Sequence, residues 1–395
     1  MGPGRELVHA APAKVMGGCS SHNACLLVWG TPADYDAWGP AWTFAELEPY
    51  LRRAEQTIAP RPRVYRLDEL SPWFEGVVAA GAETGLPVLE DFNDPAALEG
   101  IGLGPFNVRD GVRWNASFAY VDPVRGRPNL TILTETLVDR VVVKGGRARR
   151  ADRRHGRRRR RRVRLAGDPA PERHRSGGGP PPARDRRRRG ERRRGGEPGR
   201  PHRGEALLRG HRRRCKRRSP TSGPCSFANG AIKARTEGCA DGTWDLHLLP
   251  IVSRTGEGAH LTVVVLQPRS RGAVRLASAE PSVSPAIDHG LLTEPEDTEL
   301  LLGGLAVAHR LAETEPLRRL GRVVELDDRE RIRSTLFAFF HPVGTCAIGT
   351  VVDRDLHVHG VENLYVGDAS VMPSIPRANT HLTVLGIAEK LAAEL

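Results

Sequence analysis

The chain has 395 residues, 60 Lys+Arg against 47 Asp+Glu, and a formal net charge of +13. One stretch carries all of that basicity: Arg149 to Arg218 holds 29 Arg and one Lys against seven acidic residues, which leaves 30 basic against 40 acidic residues elsewhere. This pattern excludes a protein that is basic throughout, and no run approaches the roughly 18 apolar residues of a membrane span.

The start, MGPGRELVHAAPAK, lacks the charged-then-apolar pattern of a signal peptide, so a soluble cytoplasmic protein is expected. The first 30 residues are rich in Gly, Ser and other small residues. Thr43 with Glu46 three positions later is a capping-box pattern ahead of Leu47, Tyr50 and Leu51, and it predicts an amphipathic helix. A second helix is predicted over Trp73 to Thr84, and the Gly/Pro/Asn/Asp-rich passage LEDFNDPAALEGIGLGP reads as a long loop. NLTIL and TLVDRVVVKGG have the β-branched density of strands, with Gly145-Gly146 as a turn toward a partner. The Arg-rich segment begins there, so no partner strand is expected. That segment has no aromatic residue and only Val163, Leu165, Leu207 and Leu208 among larger aliphatics, too little apolar surface to offset chain entropy.

Beyond about Cys225, WDLHLLPIV, HLTVVVLQP and GAVRLAS read as three strands of an antiparallel sheet. Thr293 and Glu296 form a second capping-box pattern, with Pro295 in the first turn, and open a helix to about Ala312. The end reads as a short buried strand, NLYVGDASVMP, then a loop, SIPRANTH, then a helix, LTVLGIAEKLAAEL. A strand that delivers an acidic residue at its end before a loop and a helix suits a cofactor edge in α/β folds. The six cysteines are scattered with no CxxC pair, so neither a disulfide framework nor a metal site is indicated.

Four constellations can carry chemistry. In Gly17-Gly18-Cys19-Ser20-Ser21-His22-Asn23 the glycines allow close backbone approach, and small polar groups can bind phosphate or a flavin edge; the plain alternative is a surface loop. His341 follows the apolar run LFAFF, and an imidazole leaving a buried segment suits a general base, although a lone histidine also serves as a core or surface residue. Val366-Gly367-Asp368-Ala369-Ser370 is the third. The fourth, Arg377-Ala378-Asn379-Thr380-His381, opens the last helix, where Asn379 suits an N-cap and the positive helix end favours developing negative charge.

In this order the four resemble the glucose–methanol–choline (GMC) oxidoreductase family. AKVMGGCSSHNACLLVWGTPADYDAW looks like its first flavin-binding signature, RWNASFAYVDPVRGRPNLTILTETLVDRVV like the segment leading to a flavin-side strand, and HPVGTCAIGTVVDRDLHVHGVENLYVGDASVMPSIPRANTHLTVLGIAEKLA like its C-terminal catalytic block. The resemblance implies oxidation of a small primary alcohol by hydride transfer to FAD, with oxygen or an electron carrier as acceptor. By it, His341 takes the alcohol proton and Asn379 hydrogen-bonds the substrate oxygen. Gly17, Gly18, Ser20, His22, Asn23, Ala24, Cys25, Val138, Asp368, Ala369, Thr380 and His381 fall on cofactor-binding positions. GGCSSHN looks closer to the choline-oxidase branch than to the family average, and that resemblance implies FAD linked covalently through His22.

The implied fold is α/β (α+β): an incomplete Rossmann-like FAD-binding domain and a substrate domain built on an antiparallel sheet. The expected pieces are a cofactor segment over 1–30, a lid or substrate-side segment over 31–120, cofactor-domain strands over 121–148, the Arg-rich stretch over 149–218, the substrate domain over 219–335 and the catalytic block over 336–395. Two departures stand out. Nothing before Gly17 supplies the family's GxGxxG turn. Within the Arg-rich stretch, a Gly-Ser-Pro-Ala-Ile-Leu peptide in GC-rich codons, read from its third nucleotide, gives Leu-Ala-Gly-Asp-Pro, the string at Leu165 to Pro169, so translation out of frame is expected there. The competing reading is an inactive family fragment whose Arg-rich arm binds nucleic acid or another polyanion nonspecifically. No specific nucleic acid is expected as a partner.

Overall fold

The computed structural model describes residues 13–59, 70–155, 159–164, 206–209, 230–252, 258–323, 332 and 336–395. The string Leu165 to Pro169, Cys215 and Cys225 lie outside these residues. The helices are α1 (Pro32–Asp36), α2 (Phe44–Ile58), α3 (Pro72–Thr84), α4 (Pro295–Ala312), α5 (Glu315–Arg318) and α6 (Thr380–Glu394). The strands are β1 (Val88–Leu89), β2 (Gly100–Gly102), β3 (Val108–Arg109), β4 (Val112–Arg113), β5 (Thr136–Lys144), β6 (Arg147–His155), β7 (Arg159–Arg164), β8 (Ala206–Arg209), β9 (Ala231–Ala234), β10 (Leu246–Val252), β11 (Ala259–Val265), β12 (Ala273–Arg275), β13 (Ala286–Asp288) and β14 (Arg322–Val323).

A seven-stranded sheet runs in the order β1-β2-β9-β10-β11-β8-β14, antiparallel except for the parallel β1–β2 pair. Helices α3 and α4 cover it, and Val77, Ile101, Ile232, Leu246, Leu248 and Leu311 are among the residues that form the core between them. The second core joins α2 to α6. Leu47, Leu51, Ala54 and Ile58 recur at helical spacing on α2 and meet Leu382, Leu385 and Ile387 of α6. Gly386 lets the two helices approach, since a Cβ there would lie 2.7 Å from Leu51 Cδ2. Thr43 Oγ1 accepts from the Glu46 amide at 3.4 Å, and α3 starts on Pro72 behind a Ser71 cap, so both early helices form where the sequence predicts.

Several expectations are corrected. The turn at Gly145-Gly146 does lead to a partner: β6, drawn from the start of the Arg-rich stretch, pairs antiparallel with β5, and β7 pairs with β6. Backbone pairing is indifferent to side-chain charge, which is why composition hid it. NLTIL is not a strand; the strand begins at Thr136, after a turn-rich passage. GAVRLAS contributes only β12, which leaves the main sheet and pairs with β13. The cap of α4 is Glu294 without a side-chain bond, because Thr293 Oγ1 instead donates to the Gly290 carbonyl at 3.1 Å. NLYVGDASVMP forms isolated bridges such as His357↔Tyr365 and no regular strand. The LFAFF run is not buried: Phe337 and Phe340 are 41% and 59% exposed. No helix among the described residues is long and apolar enough to cross a membrane.

Candidate active site

Two chain segments bring His341 and Asn379 together. The first runs from His341 to Ile348 and is zipped to the turn at Asp368 by bonds from the Cys346 amide to the Ser370 carbonyl (2.8 Å) and from the Ile348 amide to the Val371 carbonyl (2.9 Å). Asp368 is exposed and caps that turn, accepting from the Ser370 amide and hydroxyl at 2.9 and 2.5 Å; Ala369 opens its single helical turn. The second segment is the turn 374–378 that leads into α6. Asn379 is the N-cap of α6 by backbone geometry, yet its side chain makes no cap bond. It is used elsewhere.

The Asn379 amide nitrogen Nδ2 lies 3.0 Å from His341 Nε2, and Thr380 Oγ1 lies 3.2 Å from His341 Nδ1. An amide N–H can only donate, so Nε2 accepts; the neutral ring then carries its proton on Nδ1 and donates it to the Thr380 hydroxyl. The lone pair of Nε2 is thus fixed toward Asn379. Burial pushes His341 down to about 4, so the ring is neutral at ordinary pH. Phe339 packs edge-on against the imidazole, with ring centres 5.2 Å apart. Residue His381, one turn position on, is also pushed down to about 4, by burial first and by His341 second, and its Nε2 is buried without a hydrogen-bond partner among the described residues. Uncapped first-turn amides of α6, the orphaned His381 nitrogen and the buried Thr380 give this corner spare donors, which fits an acceptor-rich ring edge such as that of a flavin.

The N-terminal signature folds as a tight turn. Gly17 and Gly18 adopt φ of +84° and +55°, which favour glycine, and Gly18–Ser21 make one 3-10 turn. Ser20 is buried; its hydroxyl donates to the Gly17 carbonyl at 2.6 Å and accepts from the Ala116 amide at 2.9 Å. Asn23 Oδ1 accepts from the Cys25 amide at 3.1 Å, and Arg113 donates to both Cys25 Sγ (3.1 Å) and the Ser21 carbonyl (3.0 Å). His22 and Ala24 are exposed, and His22 lines an open cavity of about 760 Å³ with Lys14, Met16, Ser21 and Asn115. Cys25 packs in one buried cluster with Ala378, the residue before Asn379, so this signature and the 374–378 turn share a core. Val138 stands apart on β5, 55% exposed.

Sequence reasoning named Thr380 but missed the contact of its hydroxyl with His341, and it missed the Phe339 ring and the residues that hold the 374–378 turn. Only the first two had a signal, as neighbours of His341 and Asn379 in the chain.

Comparison with known proteins gives the family. The GMC oxidoreductase models match residues 4–164 and 268–388. Among relatives, an uncharacterized GMC-type oxidoreductase of Mycobacterium bovis is 29% identical over an alignment of 471 positions that spans 98% of this chain and 85% of the relative. An oxygen-dependent choline dehydrogenase of Staphylococcus haemolyticus is 28% identical, over 98% of this chain and 80% of that protein. Of solved structures, a pyridoxine 4-oxidase from Mesorbium loti superposes with a TM-score of 0.75 at 23% identity, covering 95% of this chain and 83% of that one, a likeness of fold.

Proposed function

Starting from the fact that the chain belongs to the GMC oxidoreductase family, we propose that it oxidises a small primary alcohol, choline-like or otherwise, with FAD as cofactor and oxygen or a carrier as final acceptor. The observation that carries this reading is the His341–Asn379 contact at 3.0 Å, with the Nδ1 proton of His341 parked on Thr380. A substrate hydroxyl entering between the two side chains donates its proton to His341 Nε2 while its oxygen accepts from Asn379 Nδ2. Proton transfer to Nε2 leaves an alkoxide, the Asn379 amide and the positive end of α6 stabilise it, and the carbon becomes a hydride donor. Bound FAD would supply the hydride acceptor.

The donors at the start of α6, with Thr380 and His381, would hold the flavin ring, and the Gly17–Cys25 turn with Asp368 and Ala369 would hold the rest of the cofactor. Val138 lies outside these two groups in the structure, and its cofactor role rests on the family resemblance alone. His22, exposed on the cavity wall, is reachable for a covalent tether.

The direct test of the base is His341→Ala. The expected outcome is an alcohol-driven flavin reduction rate lower by about 10²–10⁴, measured by anaerobic stopped flow, the usual scale for losing a general base. An unchanged rate removes His341 from the chemistry.

A further inference from the structure

The turn before Asn379 is tied down by several hydrogen bonds, and a single buried carboxylate takes part in many of them. Asp34, in α1, is 2% exposed. Its Oδ2 accepts from the Arg377 amide at 2.9 Å and from the Thr31 amide at 2.8 Å. Its Oδ1 accepts from the Arg377 guanidinium and, at 2.8 Å, from Gln267 Nε2. Four donors occupy the four acceptor directions of a carboxylate. Gln267 donates its other proton to the Ile375 carbonyl at 2.9 Å, so the bend just after β11 grips the same turn. Trp38 Nε1 donates to Ser374 Oγ at 3.0 Å and Trp244 Nε1 to the Arg377 carbonyl at 3.2 Å. Gly30 completes the fit: a Cβ there would lie 2.9 Å from both Asp34 Oδ2 and Pro376 Cβ.

We propose that Asp34 is a positioning residue for the His341–Asn379 pair, acting through Arg377 and Gln267 to fix the 374–378 turn. The claim rests on the functional reading above for its consequence in catalysis, but not for its geometry. Asp34 touches neither His341 nor the place of the substrate. It fixes the backbone two residues from Asn379, and a displacement of about 1 Å there costs on the order of 10² in rate. The carboxylate also neutralises a guanidinium that is 14% exposed, since a buried charge left unpaired is strongly unfavourable.

The test compares Asp34→Asn with Gln267→Leu, which removes one strut and leaves the ion pair whole. Two measurements are made: steady-state kinetics with choline as probe alcohol, and NMR titration of the His341 ring in the protein without flavin. The expected result is a kcat lower by about 10² for Asp34→Asn and about 10 for Gln267→Leu, with KM changed less than about threefold. In both variants the His341 titration should move up from about 4 toward its ordinary value, as the loosened turn lets water reach the ring. Should Asp34→Asn fail to fold, Gln267→Leu decides. Folded variants with unaltered kcat and unaltered His341 titration overturn the inference. If His341→Ala leaves flavin reduction unchanged, the functional reading falls, while the titration still judges the role of Asp34.

Discussion

At the scale of single residues, the site is a neutral imidazole with both nitrogens assigned. Thr380 takes the Nδ1 proton and Asn379 faces Nε2, so the ring presents one lone pair in one direction. His341 and Asn379 were legible in the sequence because each sits in a long motif whose order matches one family. Asp34 was not, since its partner Arg377 is 343 positions away and its own surroundings, TPADYDAW, look like an ordinary helix start. They are one: Thr31 and Asp34 form a reciprocal capping box. The same carboxylate oxygen that closes this box also accepts from the Arg377 amide in the 374–378 turn. His22 yields a prediction here: acid precipitation should leave the yellow colour in the pellet, and colour that passes wholly into the supernatant shows that His22 is not linked to the cofactor.

Among elements, those with strong local signals were read correctly. Helix α2 has a Thr43 cap, α3 a Ser71 cap and a starting proline, and α6 buries Leu382, Leu385 and Ile387 at its packed face. Strands β10 and β11 have the β-branched density that suits a packed sheet. The failures share a cause, which is that pairing depends on distant chain. Strand β6 pairs through its backbone despite an arginine-rich sequence, and residues 361–366 lack a neighbour to pair with over more than single bridges. The junction of β2 with β9 shows how tight such contacts are: a Cβ on Gly230 would lie 2.0 Å from the Gly102 carbonyl oxygen. Gly230→Ala should therefore cost about 1–3 kcal/mol or more, seen as a lower melting temperature. Gly238→Ala, where a Cβ meets nothing within 4 Å, should leave it within about 0.5 kcal/mol.

For the whole molecule, three histidines whose pKa burial lowers make stability depend on pH. Burial pushes His247 to about 3, helped by the Lys233 charge, and pushes His341 and His381 to about 4. In the unfolded chain each titrates near 6.5. Between these values the unfolded state binds more protons, so the stability that these rings contribute is present above about pH 6.5 and is lost as pH falls toward 4. The melting temperature should fall over that window; a flat or rising profile there would show that the rings are not buried in solution. The hydrogen bonds around Asp34 tie α1, Gln267 and the 374–378 turn together, although composition alone pointed at the Arg-rich stretch. The most direct measurement is anaerobic addition of a primary alcohol to the purified protein loaded with FAD, following the visible absorption of the flavin. The account predicts bleaching in the native protein and almost none in His341→Ala. Failure of the native protein to bind FAD, or bound FAD that no primary alcohol bleaches, would contradict it.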